Sequence, residues 1–291
     1  MSSLPDSLSA LILSFLPRDD QARVLSAVAA PSVEAASTWD AIASDQALVF
    51  DDNDETASWR VFTRSNVTAL TSPARHFVVD HFLATRPAAC ATIDEVRRDA
   101  EHLLVSGRLR RAGMVTASVG AVDASSKYVE SSLRGDSLLW LSDAVLNEVP
   151  AIQSAVVAMR AALGELERVC GFVAGKTTVQ LAHYARGARY VRHLDATPLH
   201  ASGRRLTMLL YLNPAWCAAD GGELRLFDDG DAARVDVAPL GDRLLVFQSH
   251  GVPHEVLESR AESRFSLTLW AYAATVTETA RAGAQTPSTE S

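Results

Sequence analysis

Lysine is nearly missing from this chain. Lys127 and Lys176 stand alone among 27 basic residues, the rest being arginine. The bias fits a GC-rich coding sequence and excludes a lysine-rich nucleic-acid arm. Acidic residues outnumber basic ones by 35 to 27, giving a net charge of −8. A chain of that sign without a basic stripe is a poor partner for nucleic acid. Cysteine is also scarce. Cys90, Cys170 and Cys217 are odd in number and far apart, so no disulfide framework or zinc spacing follows. No apolar run approaches the roughly 20 residues that cross a bilayer. The first twenty residues, MSSLPDSLSALILSFLPRDD, carry no basic residue ahead of their apolar stretch, unlike a secretory signal. The expectation is a soluble protein of the cytoplasm or nucleus, with no membrane partner.

What is present falls into three zones. Residues 1–50 are rich in Ala, Leu and Ser. Leu8, Leu11, Ile12, Phe15 and Leu16 recur at helical spacing until Pro17. A second helical stretch covers Arg23–Ala30, and residues 51–72 read as a linker or a third small helix. From His76 the pattern changes. HFVVDHFLA and SLLWLS read as strands. IDEVRRDAEHLLVSG reads as a helix capped by Thr92, with Asp94 and Glu95 at its positive end and Gly107 at its close. Residues 112–136 read as irregular, and 144–169 as one long helix with Val145, Val149, Ile152, Val156, Met159, Leu163 and Leu166 on one side. From residue 177 seven short runs have a period of two, separated by NPAW, DGG, DDGD and LGD. Seven strands at this spacing predict an antiparallel sandwich or jelly roll. Residues 275–291 read as a disordered tail.

The chemistry sits among the strands. His193 and Asp195 are two apart, so in a strand their side chains share a face. His254 opens a further strand-like segment after RLLVFQS. Two histidines and one carboxylate make the facial triad of non-haem Fe(II) oxygenases. His250 and His200 compete for the third place. His254 is preferred because it begins a strand, whereas His250 lies in the SHGVP turn. Arg264 follows ten residues later, at the start of RFSLTLW. Its guanidinium can take the distal carboxylate of a dicarboxylic co-substrate bidentately. Thr268 shares its side of the strand and can add a hydrogen bond.

These segments resemble a known family. QLAHYARGARYVRHLD, LTMLLYLNPAW, GGELRLF, DRLLVFQS, PHEV and RFSLTLWAY, with FVVDHFLA and SSLRGDSLLW upstream, are similar to the prolyl-hydroxylase branch of the Fe(II)/2-oxoglutarate dioxygenases. The nearest group acts on hypoxia-inducible factor and on the Skp ubiquitin-ligase adaptor. The resemblance implies an α+β fold: a double-stranded β-helix (jelly roll, cupin-like) over 76–274, core 177–273, with supporting helices. It implies that His193, Asp195 and His254 bind iron. Arg264 would hold the 2-oxoglutarate C5 carboxylate with help from Tyr211 and Thr268. Tyr184 would line the site near the metal and Trp270 would lie close to substrate. Arg134 and Asp136 would form a structural pair. The implied cofactors are Fe(2+), 2-oxoglutarate, O2 and L-ascorbate. The implied reaction is hydroxylation of a peptidyl residue, foremost proline, with release of succinate and CO2. Departures lie in the turn Tyr184-Ala-Arg186, the loop ATPLHASG and the segment 112–131, and bear on which peptide is used.

Leu4-Pro5, Leu11 to Leu16, Trp39 and SDQAL resemble an F-box, which implies a helical N-terminal domain over 1–60 that docks a Skp-type adaptor through residues 1–50. The alternative is a helical cap packed on the β domain. Two other readings of the whole chain remain: an oxygenase of a different residue or small molecule, and a ubiquitin-ligase substrate adaptor whose β domain mainly binds.

Overall fold

The computed structural model describes residues 61–86, 90–115, 127–128, 133–170, 174–196, 203–227 and 234–273. The F-box-like segment, His200 and the C-terminal tail lie outside them.

Among the described residues, four helices precede the main strands. Arg64–Thr71 (α1) is capped by Thr63 and Asn66 in a reciprocal box. Ile93–Val105 (α2) starts in the same way, with Thr92 and Glu95 each satisfying a backbone N–H of the other. Gly107 closes it at φ +69, a left-handed position that suits glycine. The predicted helix over 144–169 is two helices, Asp143–Leu146 (α3) and Pro150–Cys170 (α4). Proline has no N–H to continue a helix but is preformed for its first turn, so Pro150 starts a new one. The Asp99 carboxylate of α2 then accepts from Ala151 N and Ile152 N at 2.8 and 3.1 Å. It does from a neighbouring helix what a local cap does elsewhere.

The strands form two facing sheets. The larger contains His76–Val79 (β1), Arg110–Arg111 (β2), Ser137–Trp140 (β5), Ala174–Ala185 (β6), Arg204–Tyr211 (β8), Leu244–Gln248 (β11) and Ser263–Ala273 (β13). Its order is β1-β11-β8-β13-β6-β5-β2. The smaller contains Tyr190–His193 (β7), Leu224–Phe227 (β9), Arg234–Val237 (β10) and His254–Val256 (β12), ordered β10-β9-β12-β7. Met114–Val115 (β3) and Lys127–Tyr128 (β4) pair separately. From β6 on, the chain alternates between the two sheets except at the β9–β10 hairpin, which stays in the smaller one, and neighbouring strands pair antiparallel. This is the double-stranded β-helix that the sequence predicts.

Two differences from the sequence reading have simple causes. HFVVDHFLA is strand only to Val79, because His81 takes φ 57 and the chain turns. There the Asp242 carboxylate accepts from Leu83 N and Ala84 N. The second concerns periodicity. The run LTMLLY in β8 is buried throughout. Leu206, Met208 and Leu210 join a core that includes Ile152, Met159 and Leu166 of α4. Leu209 and Tyr211 join the core between the sheets with Leu224, Leu226 and Val256. A strand covered on both faces loses its polar alternation.

Met159 is fully buried in the helix–sheet core. Met159→Ala is expected to cost about 2–5 kcal/mol. Asp99→Ala should cost about 1–2 kcal/mol through the two unpartnered N–H groups of α4. Urea unfolding midpoints check both, and an Asp99→Ala midpoint equal to wild type contradicts the capping role.

Candidate metal centre

The register of two short strands brings the histidines together. His254 of β12 sits opposite His193 of β7. Each ring turns its Nδ1 to the carbonyl two residues back, Val191 O at 2.9 Å and Val252 O at 3.0 Å. A carbonyl only accepts, so the proton is on Nδ1 and the Nε2 lone pair is free in both rings. Asp195 Oδ1 lies 4.0 Å from His193 Nε2 and 3.9 Å from His254 Nε2. One ligand atom from each residue falls within 4.8 Å of the others. His250 is not part of the cluster.

The other carboxylate oxygen is held by the protein. Asp195 Oδ2 accepts from Thr207 Oγ1 at 2.8 Å and from Trp270 Nε1 at 3.0 Å. Thr207 has spent its proton on Asp195, so Ser249 Oγ donates to it at 2.8 Å. Arg204 lies 4.2 Å over the Trp270 ring and donates to the Asp195 carbonyl. On the histidine side Tyr190 stacks on His193 at 3.7 Å. Arg134, paired with Asp136 at 2.6 Å, lies 4.4 Å over Tyr190.

Electrostatics follows burial. The His193 pKa is pushed down to about 3, first by burial and then by the neighbouring His254, with Asp195 opposing. The ring is therefore a neutral ligand at pH 7. Burial alone would raise the Asp195 pKa, but His254, His193 and the hydrogen bonds from Trp270 and Thr207 outweigh it. The net shift is downward and the group is a carboxylate.

A second group of side chains shares the cavity, which has a volume of about 160 Å³. Arg264 is 2% exposed. Its Nε donates to Gly222 O at 2.7 Å, while its Nη2 is buried with no hydrogen-bond partner. The Tyr211 hydroxyl is buried and unpartnered too. The Arg264 guanidinium carbon lies 4.8 Å from the Tyr184 ring and 5.3 Å from the Tyr211 ring. Ser266, Thr268 and Trp270 follow Arg264 along β13 on the same wall of the cavity. Of the predicted residues, His193, Asp195, His254, Arg264, Tyr184, Thr268 and Trp270 line one space, while Tyr211 is buried behind it with its ring 5.3 Å from the Arg264 guanidinium. Trp270 borders the cavity and is bonded to Asp195 as well.

Thr207, Ser249 and Gly222 are missed by the sequence reading. Thr207 lies in a hydrophobic strand and bonds a residue twelve positions away, so it looks like any β-branched strand residue. Gly222 is visible only as part of a turn. Its φ is +74, and a Cβ there would meet Arg264 Cδ at 2.9 Å, so only glycine lets the guanidinium lie along the backbone.

The residues fit a divalent metal and a dicarboxylic keto acid. Two neutral imidazoles and a carboxylate suit Fe(II), and the two orphaned donors would otherwise cost about 1–3 kcal/mol each. Thr207→Val is expected to weaken metal binding about 10- to 100-fold by freeing Asp195, as read by metal titration of the folded variant. Gly222→Ala should leave metal binding in place and weaken 2-oxoglutarate binding to the Mn(II)-loaded protein. Unchanged affinity in that titration contradicts the role given to the Gly222–Arg264 contact.

Similarity to known proteins agrees with this geometry. The family described as the 2OG-Fe(II) oxygenase superfamily matches residues 179–272. Human prolyl hydroxylase EGLN3 is 37% identical over 147 residues, 47% of this chain and 58% of that protein. Human Egl nine homolog 1 is 35% identical over 147 residues, 47% of this chain and 33% of that protein. The match spans less than two thirds of these relatives. Among solved structures, a Pseudomonas putida prolyl-4-hydroxylase superposes with TM-score 0.58 and 28% identity, covering 72% of this chain and 97% of that one. A Trichoplax adhaerens prolyl hydroxylase, in complex with a hypoxia inducible factor oxygen degradation domain peptide, gives TM-score 0.60 and 26% identity over 76% and 91%. Residues 179–272 therefore make a 2OG-Fe(II) oxygenase domain, homologous to that of the Egl nine prolyl hydroxylases.

Proposed function

We propose that this chain is an Fe(II)- and 2-oxoglutarate-dependent dioxygenase that hydroxylates a prolyl residue of a peptide or protein. The observation that carries the reading is the cavity itself. The three metal-ligating residues and Arg264, whose Nη2 has no partner, line one space, and the unpartnered Tyr211 hydroxyl is buried in the same neighbourhood, its ring 5.3 Å from that guanidinium. Fe(II), when bound, supplies the activation of O2 that couples decarboxylation of 2-oxoglutarate to oxidation of a C–H bond.

The residues of this chain bind and orient. His193, Asp195 and His254 would occupy one face of the ion and leave the other open. Arg264 and Tyr211 would take the distal carboxylate, with Thr268 alongside, and so set the position of the keto acid at the metal. Thr207 and Trp270 fix Asp195 through Oδ2 and leave Oδ1, on the side of the two histidine Nε2 atoms, to be the ligand atom. The apolar walls from Leu209, Leu224 and Val256 keep bulk water from the reacting centre. The relative whose structure contains a hypoxia inducible factor peptide supports a peptidyl substrate. L-ascorbate would return oxidised metal to the ferrous state.

A second inference concerns residues 1–50. Their F-box-like pattern supports docking to a Skp-type adaptor, which would bring the oxygenase to a ubiquitin ligase. Failure of the full chain to retain such an adaptor in a pull-down sinks that part alone.

The main test is succinate formation from 2-oxoglutarate with Fe(II), ascorbate and proline-containing peptides. Wild type should form succinate and a peptide gaining one oxygen on proline. His254→Ala should form none. Arg264→Lys keeps the charge and loses the fork, and should raise the KM for 2-oxoglutarate about tenfold or more, a loss of about 1.4 kcal/mol. Iron-loaded, folded wild type that neither binds 2-oxoglutarate nor forms succinate contradicts the reading.

A further inference from the structure

Among the described residues, the two tyrosines that line the cavity, Tyr184 and Tyr190, and the two on neighbouring strands, Tyr211 and Tyr272, each have a cation against them. Tyr190 lies under Arg134 at 4.4 Å. Tyr184 and Tyr211 face Arg264 at 4.8 and 5.3 Å. Tyr272 is flanked by Lys176 at 4.8 Å and receives a hydrogen bond from Arg204. The tryptophans differ. Trp270 Nε1 touches Asp195, one of the metal-ligand residues, and Arg204 lies 4.2 Å over its ring. The Trp140 ring contacts Trp270, with centroids 5.5 Å apart and planes tilted by 42°. Trp140 is 47% exposed, the largest exposed aromatic among the described residues, and no cation lies over it among them. A contiguous indole pair thus runs from a metal ligand to solvent.

We propose that Trp270 and Trp140 form a one-electron outlet that drains oxidising equivalents from the metal site when no C–H bond is presented. The proposal rests on the oxygenase reading above. The direction of flow follows from charge. A positive hole on an aromatic ring is disfavoured by a neighbouring cation at 4–5 Å, and arginine stays charged at any working pH. Arg134, Arg264, Arg204 and Lys176 therefore disfavour oxidation of the four tyrosines. Trp270 also has a cation over it, Arg204 at 4.2 Å, but its Nε1 donates to the Asp195 carboxylate at 3.0 Å; the anion lets Trp270 pass a hole on and the guanidinium keeps it from resting there. Trp140 is the stable terminus, since water hydrates its radical cation and accepts its proton.

The electrons balance. With Fe(II), 2-oxoglutarate and O2 bound, one decarboxylation without a peptide would supply two oxidising equivalents. Trp270 gives one electron and regains one from Trp140, whose indole N–H proton goes to water. A second electron leaves Trp140 by the same route, water adds its oxygen to the ring, and a second proton is released. The sum is tryptophan plus water giving hydroxytryptophan, two protons and two electrons. These two electrons and two protons match the two oxidising equivalents that an uncoupled turnover would otherwise leave unspent, with one water as the by-product.

The experiment maps oxidation on the full chain loaded with Fe(II) and 2-oxoglutarate in air, without peptide or ascorbate. Peptide mass spectrometry reads the gain of one oxygen at each tryptophan, normalised to succinate formed. Trp216, which donates to Gly221 O and does not line the cavity, reports random oxidation. Trp140 is expected to be modified several-fold more than Trp216 or Trp270, with the added oxygen derived from labelled water. In Trp140→Phe, oxidation should move inward to Trp270 and the enzyme should lose activity after fewer succinates. In Trp270→Phe, modification of Trp140 per succinate should fall to the Trp216 level. Succinate formation with Trp140 no more modified than Trp216, or with Trp270 as the main product in wild type, overturns the outlet and leaves the oxygenase reading standing. Absence of succinate under every condition, with peptide included, overturns both.

Discussion

The buried guanidinium of Arg264 is the group on which the site is organised. Placing a charge between two β-sheets costs several kcal/mol unless it is paired and hydrogen-bonded. Among the described residues no carboxylate pairs with Arg264. It has one bond, to the Gly222 carbonyl, and the faces of Tyr184 and Tyr211. Its Nη2 and the nearby Tyr211 hydroxyl keep their hydrogens unspent. A fold that tolerates this arrangement is built for an anion that completes it. Gly222 at positive φ and the antiparallel pairing of β13 with β6 and β8 hold the guanidinium in place for that anion.

The metal end follows a different logic. There the ligand residues are constrained in advance. The two Nδ1–H groups are used on backbone carbonyls, so each ring can offer only Nε2. Asp195 divides its oxygens, one toward the histidines and one to Thr207 and Trp270. Trp270 therefore serves two ends: it orders a ligand and leads by contact to Trp140 at the surface. The large sheet carries the co-substrate end and the anchors of Asp195, and the small sheet carries the histidines. The site exists only because the chain alternates between the two.

Much of this was legible in the sequence. His193 and Asp195 are two apart on one strand and His254 opens another, so the triad needs only strand geometry and one register. Arg264 was legible for the same reason. The capping of α2 by Thr92 and Gly107 followed from local chemistry. The helix break at Pro150 was missed because the apolar stripe of Val145, Val149 and Ile152 runs across it unchanged; all are buried although they belong to two helices or the turn between. Thr207, Ser249 and Gly222 were not legible because their partners are fixed by tertiary register rather than by spacing. The same holds for the alternation in β8, erased by burial on both faces.

The central claim is that two orphaned donors wait for a distal carboxylate. The most direct measurement is calorimetric titration of the Mn(II)-loaded chain with 2-oxoglutarate and, separately, with 2-oxobutyrate, which keeps the keto acid and lacks the second carboxylate. The account predicts that 2-oxoglutarate binds far more tightly, by about a hundredfold or about 2.7 kcal/mol. It also predicts that Arg264→Lys removes most of that difference. Equal affinity for the two acids would contradict it, because Arg264 and Tyr211 would then have no role in holding the co-substrate.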